Sequence, residues 1–515
     1  MKNRKNAKKT TSSDLENYAE KQKRTSVKKA LPDTPEALLA VIAEISRGEN
    51  LKVYAVGGYI RDRLLGREFS GEIDLSVVGD GIQFAETLRK KLNLRNRVQV
   101  YRRFGTARIQ TGSIVLELAT SRRESYSEDS RKPNVEPAPF EEDLARRDFT
   151  INTLAVEISE PDKIINLFDG LADLDNKIIR TPLDPCKTFS DDPLRMLRAI
   201  RFAAKLGFII EKLTWEGIKR EKRRLEIVSK ERINDEFFKI LASSPPSKGL
   251  SLLHDSGVLG VIFPDIEALS GVEQVGRHHH KDVLQHTLKV VDHLAEKTDR
   301  VDLLFAALLH DIGKPRTKYF DPDSGWTFHG HEHVGERMVK KMGKTYRLPE
   351  ELVNKTSRLV RLHMRPINLN DEDVSDSAIR RLVVQAGDQI DDLLMLCRAD
   401  ITSANKVKVK RYIAEFDQMM QRMEEIDQKD QLRSFQSPIR GDEIMKRTGL
   451  PEGPRIGLIK TLIEEKILDG EIPNSVDGAE QIFDEIAGIV NDMKNAEVSR
   501  LLRTLMQERS DGIQS

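Results

Sequence analysis

Hydrophobic positions first fall into a regular pattern near Thr34. PEALLAVIAEI (35–45) carries apolar residues at helical spacing, and VYAV (53–56) behind it predicts a short buried strand. Up to about Leu167 the pattern alternates: EIDLSVV, RVQVY, ARIQT, IVLELA and INTLAVEI each predict a strand, with helical stretches between them. From Phe189 to about Ser270 the spacing is almost wholly helical, and a histidine-rich helical block follows from about Arg277 to Asn405. Asp427 to Pro438 is polar and breaks the period, which predicts a linker, and the rest to Ser515 again predicts helices. No fixed-period repeat is present.

The expected class is α+β, a mixed sheet with helices followed by all-helical domains. The expected divisions are a basic tail over 1–33, a head over 34–170, a helical neck over 171–274, a histidine-rich domain over 275–426 and a helical tail domain over 427–515. A chain of 515 residues has room for about three or four domains.

Composition narrows the function classes. Two cysteines, Cys186 and Cys397, exclude a disulfide framework and a thiolate zinc site, and they fit a reducing, cytoplasmic setting. No apolar run approaches the length of a membrane span, so no membrane partner is expected. The 84 Lys+Arg balance 83 Asp+Glu, which leaves nucleic-acid binding open because it depends on where the charge sits. The first 30 residues concentrate ten Lys/Arg against three acids. They predict a disordered tail, either merely solvated or gripping RNA phosphates.

VYAVGGYIRDRLLG predicts strand, tight turn and helix. Gly57 and Gly58 would let backbone approach a ligand closely, and free N–H groups at the helix start suit anionic oxygens. Arg61, one turn in, would reach the same phosphates. In EIDLSVV, Glu72 and Asp74 are two apart and so project from one strand face. Burying such charge needs compensation, and divalent Mg²⁺ suits hard oxygen ligands. Glu117 in IVLELA adds a third acid. An edge strand with solvated carboxylates is the plain alternative; glycines followed by paired acids fit metal-assisted nucleotidyl transfer.

The ordered set GGYIRD…EID resembles the signature of the DNA polymerase β superfamily, and more closely the class II tRNA nucleotidyltransferases and bacterial poly(A) polymerases. DLARRDFTINTLA (Asp143–Ala155) is similar to that family's ribose-contacting segment, which implies nucleotide-binding roles for Arg147, Asp148 and Asn152. LFDGLADL resembles its hinge motif, DDPLRMLRAIRFAAKLGF its nucleotide-selecting helix, and SKERINDEFFKIL its helix-bracing motif. The family's Asp-x-Asp is here Glu72-Ile73-Asp74, and position 191 is Asp where Glu is common. The resemblance implies a polymerase-β-type head whose Glu72, Asp74 and Glu117 are catalytic, with Glu72 and Asp74 holding Mg²⁺.

On its own, DDPLRMLRAIRF predicts a helix capped by Asp191 or Asp192, with Pro193 in its first turn. Arg195, Arg198 and Arg201 form one stripe, while Leu194, Leu197 and Ile200 share another face. A solvated basic stripe is the plain reading. The resemblance implies instead that Asp192 and Arg195 imitate a Watson–Crick edge that accepts CTP and ATP, with Arg198 as a helper. Unpaired buried donors would then reject a wrong base. The polar stretch from Ser121 to Asp143 has no period and predicts a loop; the resemblance implies a flexible element in the switch from C to A addition, with Tyr126 and Arg131 its residues of interest.

In the histidine-rich block, HTLKVVDH and LLFAALLHDIGK each predict a helix, the second ending its apolar run in adjacent His310-Asp311. Imidazole with carboxylate suits a divalent transition metal. The series His286, His310-Asp311 and Asp400 resembles the H…HD…D pattern of an HD domain, implying a phosphohydrolase centre holding Ni, Mn, Co or Zn. His331 and His363 resemble the accessory histidines of variants that bind a further metal or the substrate phosphate; His278–His280 read as structural or solvated. In the tail domain, Gly441, Gly449, Gly453, Pro454 and Gly457 predict helix stops and turns, serving either an RNA contact or turn geometry alone.

Together these imply an enzyme with two sites. Its head would add CMP and AMP from CTP and ATP to the 3′ end of tRNA, held by the helical neck and tail. The alternatives are an A-adding enzyme, a poly(A) polymerase, or an HD phosphohydrolase with an inactive RNA-binding head. Oligomeric state is not encoded in any of these motifs.

Overall fold

The structure is a computed structural model and describes residues 32, 34–127, 130–276, 279–323, 325–369, 375–402, 406–430 and 432–511; within these, the side chains of 123–127, 130–135, 274–276, 279–281, 368, 406, 408, 429, 434 and 508–511 lie outside the described ones. The basic tail thus lies outside the described residues, except residue 32, as does His278. The chain separates into two compact units, one ending at Asp191 and the other beginning at Asp192.

In the first unit, β1 (Lys52–Val56), β2 (Glu72–Val78), β3 (Gln99–Tyr101), β4 (Thr106–Thr111), β5 (Ile114–Thr120), β8 (Ala155–Glu157) and β9 (Ile164–Ile165) form a seven-stranded sheet ordered β3-β4-β5-β2-β1-β8-β9. Only β2 and β5 run parallel. Alternation gives the sheet two faces. Val53, Ala55, Ile73, Leu75, Val77, Leu116 and Leu118 fill one, under Leu38 and Ile42 of helix α1 (Pro35–Gly48) and Phe84 and Leu88 of α3 (Gly81–Lys91). Thr34 and Asp80 cap these helices, each side-chain oxygen accepting first-turn N–H groups. Helix α2 (Gly58–Leu64) follows β1 directly.

On the other face, Tyr54, Val56 and Ala155 pack with Phe140 and Leu144 of α4 (Phe140–Ala145), and the rings of Tyr54 and Phe140 stack at 3.7 Å. That apolar patch covers only part of the face. The remainder carries charge.

Two sequence expectations change here. INTLAVEI is a strand only in its second half; Thr150–Asn152 forms a 3-10 turn. Thr153 donates its hydroxyl to the Thr150 carbonyl at 2.7 Å, and Thr150 donates to Asp173 at 2.6 Å, so local side-chain bonds displace the ladder. The stretch expected as a loop pairs instead as β6 (Arg122–Ser127) with β7 (Ser130–Pro137), an antiparallel hairpin outside the main sheet. Its sequence, RRESYS followed by SRKPNVEP, is polar at most positions, so no apolar period marks it. Tyr126 and Arg131 lie in that hairpin, but their side chains fall outside the described ones.

The second unit is mostly helical. Helices α5 (Leu194–Leu206), α6 (Lys230–Leu241) and α7 (Pro246–Asp255) pack together. A Cβ on Gly249 would come 2.4 Å from Ile240, so only glycine permits α7 to approach α6. Next come α8 (Val283–Ala295), α9 (Val301–Leu309), α10 (His331–Tyr346), α11 (Glu350–Leu362), α12 (Asp376–Ala386) and α13 (Ile390–Asp400). The helical block starts at Val283 rather than near Arg277, because Glu273–Gly276 pairs with His279–Asp282 as a hairpin.

Helix α14 (Lys406–Asp430) runs into the expected linker, where Arg380 holds Asp430 at 2.7 Å and Arg433 holds Asp427 at 2.6 Å. The tail, α15 (Gly441–Thr448), α16 (Pro454–Leu468), α17 (Val476–Asp492) and α18 (Asn495–Asp511), closes around Ile444, Leu458, Ile459, Ile463, Phe483 and Val490. Gly449 ends α15 in the left-handed region, Gly453 stands before α16, and Gly457 packs inside α16 near Leu502. Turn and packing geometry account for all three. Among the described residues no helix is long and apolar enough to cross a membrane.

Candidate active sites

The register of the head sheet assembles the first site. Asp74 on β2 lies beside Glu117 on parallel β5, and Arg108 on β4 lies beside Glu117 in turn. Glu72 projects from the same face as Asp74, and Arg108 Nη2 stands 3.3 Å from Glu72 Oε1. Three carboxylates therefore share one patch. Burial, then the charges of Asp74 and Glu72, push the Glu117 carboxyl above its ordinary range, with Arg108 and Arg122 offsetting only part. Such a cluster is short of positive charge, and a hard divalent cation fits it.

The Gly57 turn closes over this patch. Its φ is +73°, and a Cβ there would come 3.1 Å from Arg147 Nη1 and 3.2 Å from Asp74 Oδ2. Glycine is thus required both by conformation and by the close approach of an acid and a guanidinium. Arg147 Nε is buried without a hydrogen-bond partner. Arg61 is buried and faces inward: it donates to Asn152 Oδ1 at 2.7 Å and to both Asp62 oxygens at 2.9 and 2.8 Å. Asn152 in turn donates to Asp148 at 2.9 Å, so Arg61, Asn152 and Asp148 form one chain behind the turn.

Sequence reasoning singled out neither Asp143 nor Ser76. Asp143 is 1% exposed; Arg146 Nη2 stands 2.6 Å from its Oδ1, Ser76 donates to its Oδ2 at 3.0 Å, and Arg147 lies 3.8 Å away. Burial alone would raise its pKa, but Arg146 and Arg147 with these hydrogen bonds outweigh that and hold the carboxyl below the ordinary range. The signal was the spacing in DLARR, which sets both arginines three and four residues past the acid.

In the second unit Pro193, not an aspartate, is the N-cap of α5 and stands just outside its first turn; Asp192 Oδ1 accepts the Leu194 N–H at 3.3 Å from one residue further back. Leu194, Leu197 and Ile200 are buried, whereas Arg195, Arg198 and Arg201 are part-exposed along one stripe. Arg198 lies over the Phe202 ring at 5.5 Å.

The same unit holds a histidine-rich centre built from helix ends. His286 sits on α8, His310 and Asp311 follow α9, His331 opens α10, His363 follows α11 and Asp400 closes α13. Asp311 stands between two sets. Its Oδ2 is 3.2 Å from His310 Nε2 and 3.8 Å from His286 Nε2; its Oδ1 is 3.4 Å from His331 Nε2 and 3.8 Å from His363 Nε2. Both trios are spaced to hold an ion. Asp400 reaches His286 at 2.9 Å and His310 at 3.7 Å.

The outward nitrogens set the ring orientations. His310, His331 and His363 turn Nδ1 to the carbonyls of Ala307, Phe328 and Val360 at 2.7, 2.9 and 2.7 Å, and His286 Nδ1 lies 3.0 Å from Thr402 Oγ1. In the neutral rings each Nε2 lone pair then points inward. His331 and His363 face each other with Nε2 atoms 3.2 Å apart, close enough to share a proton or to bind one cation together. His310 Nε2 is buried between the carboxylates of Asp311, 3.2 Å away, and Asp400, 3.7 Å away. Burial, reinforced by His310 and His331, drives His363 down to about 3, leaving it neutral. Burial also opposes charge on His310, but Asp311 and Asp400 prevail and lift it to about 9. The donor set fits a divalent transition metal. Lys314 Nζ, 2.7 Å from Asp311 Oδ2, is a neighbour that the sequence reading passed over.

Comparison with known proteins matches this layout. The family model for the poly(A) polymerase head domain matches residues 53–180, a probable RNA- and SrmB-binding site of polymerase A matches 207–269, and the HD domain matches 283–405. The A-adding tRNA nucleotidyltransferase of Deinococcus radiodurans is 31% identical over 65% of this chain and 77% of its own. The CC-adding tRNA nucleotidyltransferase of Thermus thermophilus is 32% identical over 80% of this chain and 88% of its own. The Thermotoga maritima CCA-adding enzyme, solved with tRNA, shares the fold at a TM-score of 0.55 and 22% identity, covering 88% of this chain and 96% of that one.

Proposed function

The chain belongs to the tRNA nucleotidyltransferase family, and from that premise we propose that its head adds C and A residues from CTP and ATP to the 3′ end of tRNA. The observation that carries this reading is the register of β2 and β5, which sets Asp74 beside Glu117 under the Gly57 turn. In this reading Glu72, Asp74 and Glu117 hold Mg²⁺. Magnesium bound there would activate the RNA 3′ hydroxyl and neutralise the departing pyrophosphate.

The chain's own residues do the rest. Gly57 and Gly58 give the triphosphate room to lie against backbone, and Arg147 offers it a guanidinium. Arg61, Asn152 and Asp148 brace the turn, and the same chain is where ribose hydroxyls would be read. Asp192 accepts from the exocyclic amine shared by cytosine and adenine, Arg195 donates to the ring, and Arg198 supports it. Neck and tail hold the tRNA, chiefly through phosphates and shape.

In the HD domain, His286, His310, Asp311 and Asp400 would hold one divalent transition metal, Ni, Mn, Co or Zn, while His331 and His363 would serve either a second metal, shared with Asp311, or the substrate phosphate. Such a metal supplies activated water for phosphoester hydrolysis. The opposed Nε2 atoms of His331 and His363 support this second activity.

Two relatives of nearly equal identity add A and CC respectively. Nucleotide preference is therefore decided by assay: purified protein, Mg²⁺, one labelled nucleotide at a time, and tRNA ending before, within or after CCA. Two C and one A, then a stop, establishes CCA addition. A alone on tRNA ending in CC means an A-adding enzyme, and long A tails mean a poly(A) polymerase. No addition, with phosphoester hydrolysis retained, would leave the HD centre as the active site.

A further inference from the structure

On the face of the head sheet away from the core, two rows of side chains cross β2, β5 and β4. One row is Asp74, Glu117 and Arg108; the next is Glu72, Val115 and Gln110. Alternation fixes the face of β4: Ala107 and Ile109 are buried in the core, so Arg108 and Gln110 point the other way. Arg108 thus starts on the same face as all three acids.

Its guanidinium does not stay in its own row. Nη2 stands 3.3 Å from Glu72 Oε1. Strand β5 lies between β4 and β2, and two strand spacings separate their backbones by about 10 Å. The Arg108 side chain therefore reaches obliquely across β5 to the acid on the far strand. Among the described residues Glu72 is its sole ion-pair partner, and the two side chains are 46% and 47% exposed. Burial, Asp74 and Glu72 raise the Glu117 carboxyl, and Arg108 is the larger of the two charges opposing them. One guanidinium so placed serves two acids of the patch at once. It works against a divalent cation in two ways. A carboxylate oxygen already paired with a guanidinium is a poorer donor to a second cation, and like charges on one patch repel.

We propose that Arg108 is a positioning residue of the head site, an internal cation that shares Glu72 with the metal and so sets how tightly the acidic patch holds a divalent ion. This rests on the reading above in taking that patch as the metal site. A patch so tuned fills according to free Mg²⁺, so nucleotide addition would follow the metal concentration.

The test uses the full chain with Mn²⁺ as the probe, its free concentration followed by electron paramagnetic resonance. All preparations carry Asp311→Ala, which removes the acid common to both histidine trios. Binding that disappears on adding Asp74→Ala then belongs to the head. Arg108→Ala should tighten Mn²⁺ there by about three- to fivefold, the scale of one exposed ion pair. The gain should fade between about 10 and about 150 mM salt, because half-exposed charges are screened. Arg108→Lys, which keeps the charge, should stay nearer the parent than Arg108→Ala does. In Glu72→Gln the Arg108→Ala gain should shrink, since the shared carboxylate is gone. With Asp311 restored, the Mg²⁺ concentration that half-saturates nucleotide addition should fall in Arg108→Ala by the same factor. Unchanged Mn²⁺ affinity would reduce the pair to a surface contact, and weaker affinity would mean that Arg108 prepares the acids for the metal; either result overturns the proposal. Absence of any Asp74-dependent Mn²⁺ is a distinct result, which would defeat the reading of the patch as a metal site and this proposal with it.

Discussion

Ser76 donates a hydrogen bond to Asp143 across 3.0 Å, and Ser121 Oγ lies 2.9 Å from the same serine. Ser76 sits two residues beyond Asp74 on the same strand face, so this contact ties the acid-bearing strand to the segment that presents Arg146 and Arg147. Asp143 does no chemistry in the proposed reaction. It positions Arg147 beside Asp74 and Gly57.

Asp143→Asn should therefore act on stability and on the site together. Removing a buried carboxylate from its arginines should cost about 3 kcal/mol. The pH dependence has a definite sign. The folded pKa lies below the unfolded value, so the contribution is present above about pH 4 and fades as pH falls through the lower folded pKa. Denaturant melts of parent and variant should differ most at neutral pH and converge in acid. A gap that stays constant down to the acid limit would show that the carboxylate's charge is not what stabilises. The variant should also raise KM for the nucleotide more than it lowers kcat.

Much of this was legible because burial leaves a period. EIDLSVV reads as a strand because Ile73, Leu75 and Val77 must face a core, and the two acids then necessarily share the opposite face. The HD pattern was legible because an apolar helix ending in His310-Asp311 has no packing reason to do so. What escaped has no period. The β6–β7 hairpin is polar at most positions, and Thr150–Asn152 is shaped by side-chain hydrogen bonds that alternation does not encode. Asp143 escaped for another reason: an acid followed by two arginines reads as a solvated helix pair until the fold buries it.

Asp74→Ala should lower kcat for nucleotide addition about a thousandfold or more, roughly 4 kcal/mol of transition-state stabilisation. Glu72→Asp should change the rate by less than about tenfold, since either carboxylate offers the same hard oxygens with the reach altered by one methylene. Glu72 is about half exposed and pairs only loosely with Arg108, which leaves room for that shift. Single-turnover addition of one labelled nucleotide checks both. Near-parental activity in Asp74→Ala would remove the acidic patch from the mechanism.

Asp192→Ala should relax base choice rather than stop the reaction. Losing a charged acceptor costs about 1.5–3 kcal/mol, so kcat/KM for CTP and ATP should fall about 10- to 100-fold while UTP is affected less. Competition between labelled CTP and UTP on one acceptor measures the ratio directly. An unchanged ratio would leave Asp192 with its structural contacts only, the Leu194 N–H and Arg232.

Asp311 stands between both histidine pairs, whereas His331 serves one, and this difference makes the HD centre testable by stoichiometry. Protein loaded with Mn²⁺ or Ni²⁺ and then desalted should carry about two equivalents if each trio holds an ion. Asp311→Ala should lose metal from both, while His331→Ala should keep the ion at His286 and His310. The histidine rings stay oriented in either variant, because their Nδ1 contacts with Ala307, Val360 and Thr402 are untouched. Elemental analysis of the three proteins distinguishes the cases. Loss of all metal in His331→Ala would mean one site shared by every ligand, and retention of all metal would make His331 a phosphate-facing residue. Phosphoester hydrolysis should follow the His286–His310 ion, so His331→Ala should impair it less than Asp311→Ala does.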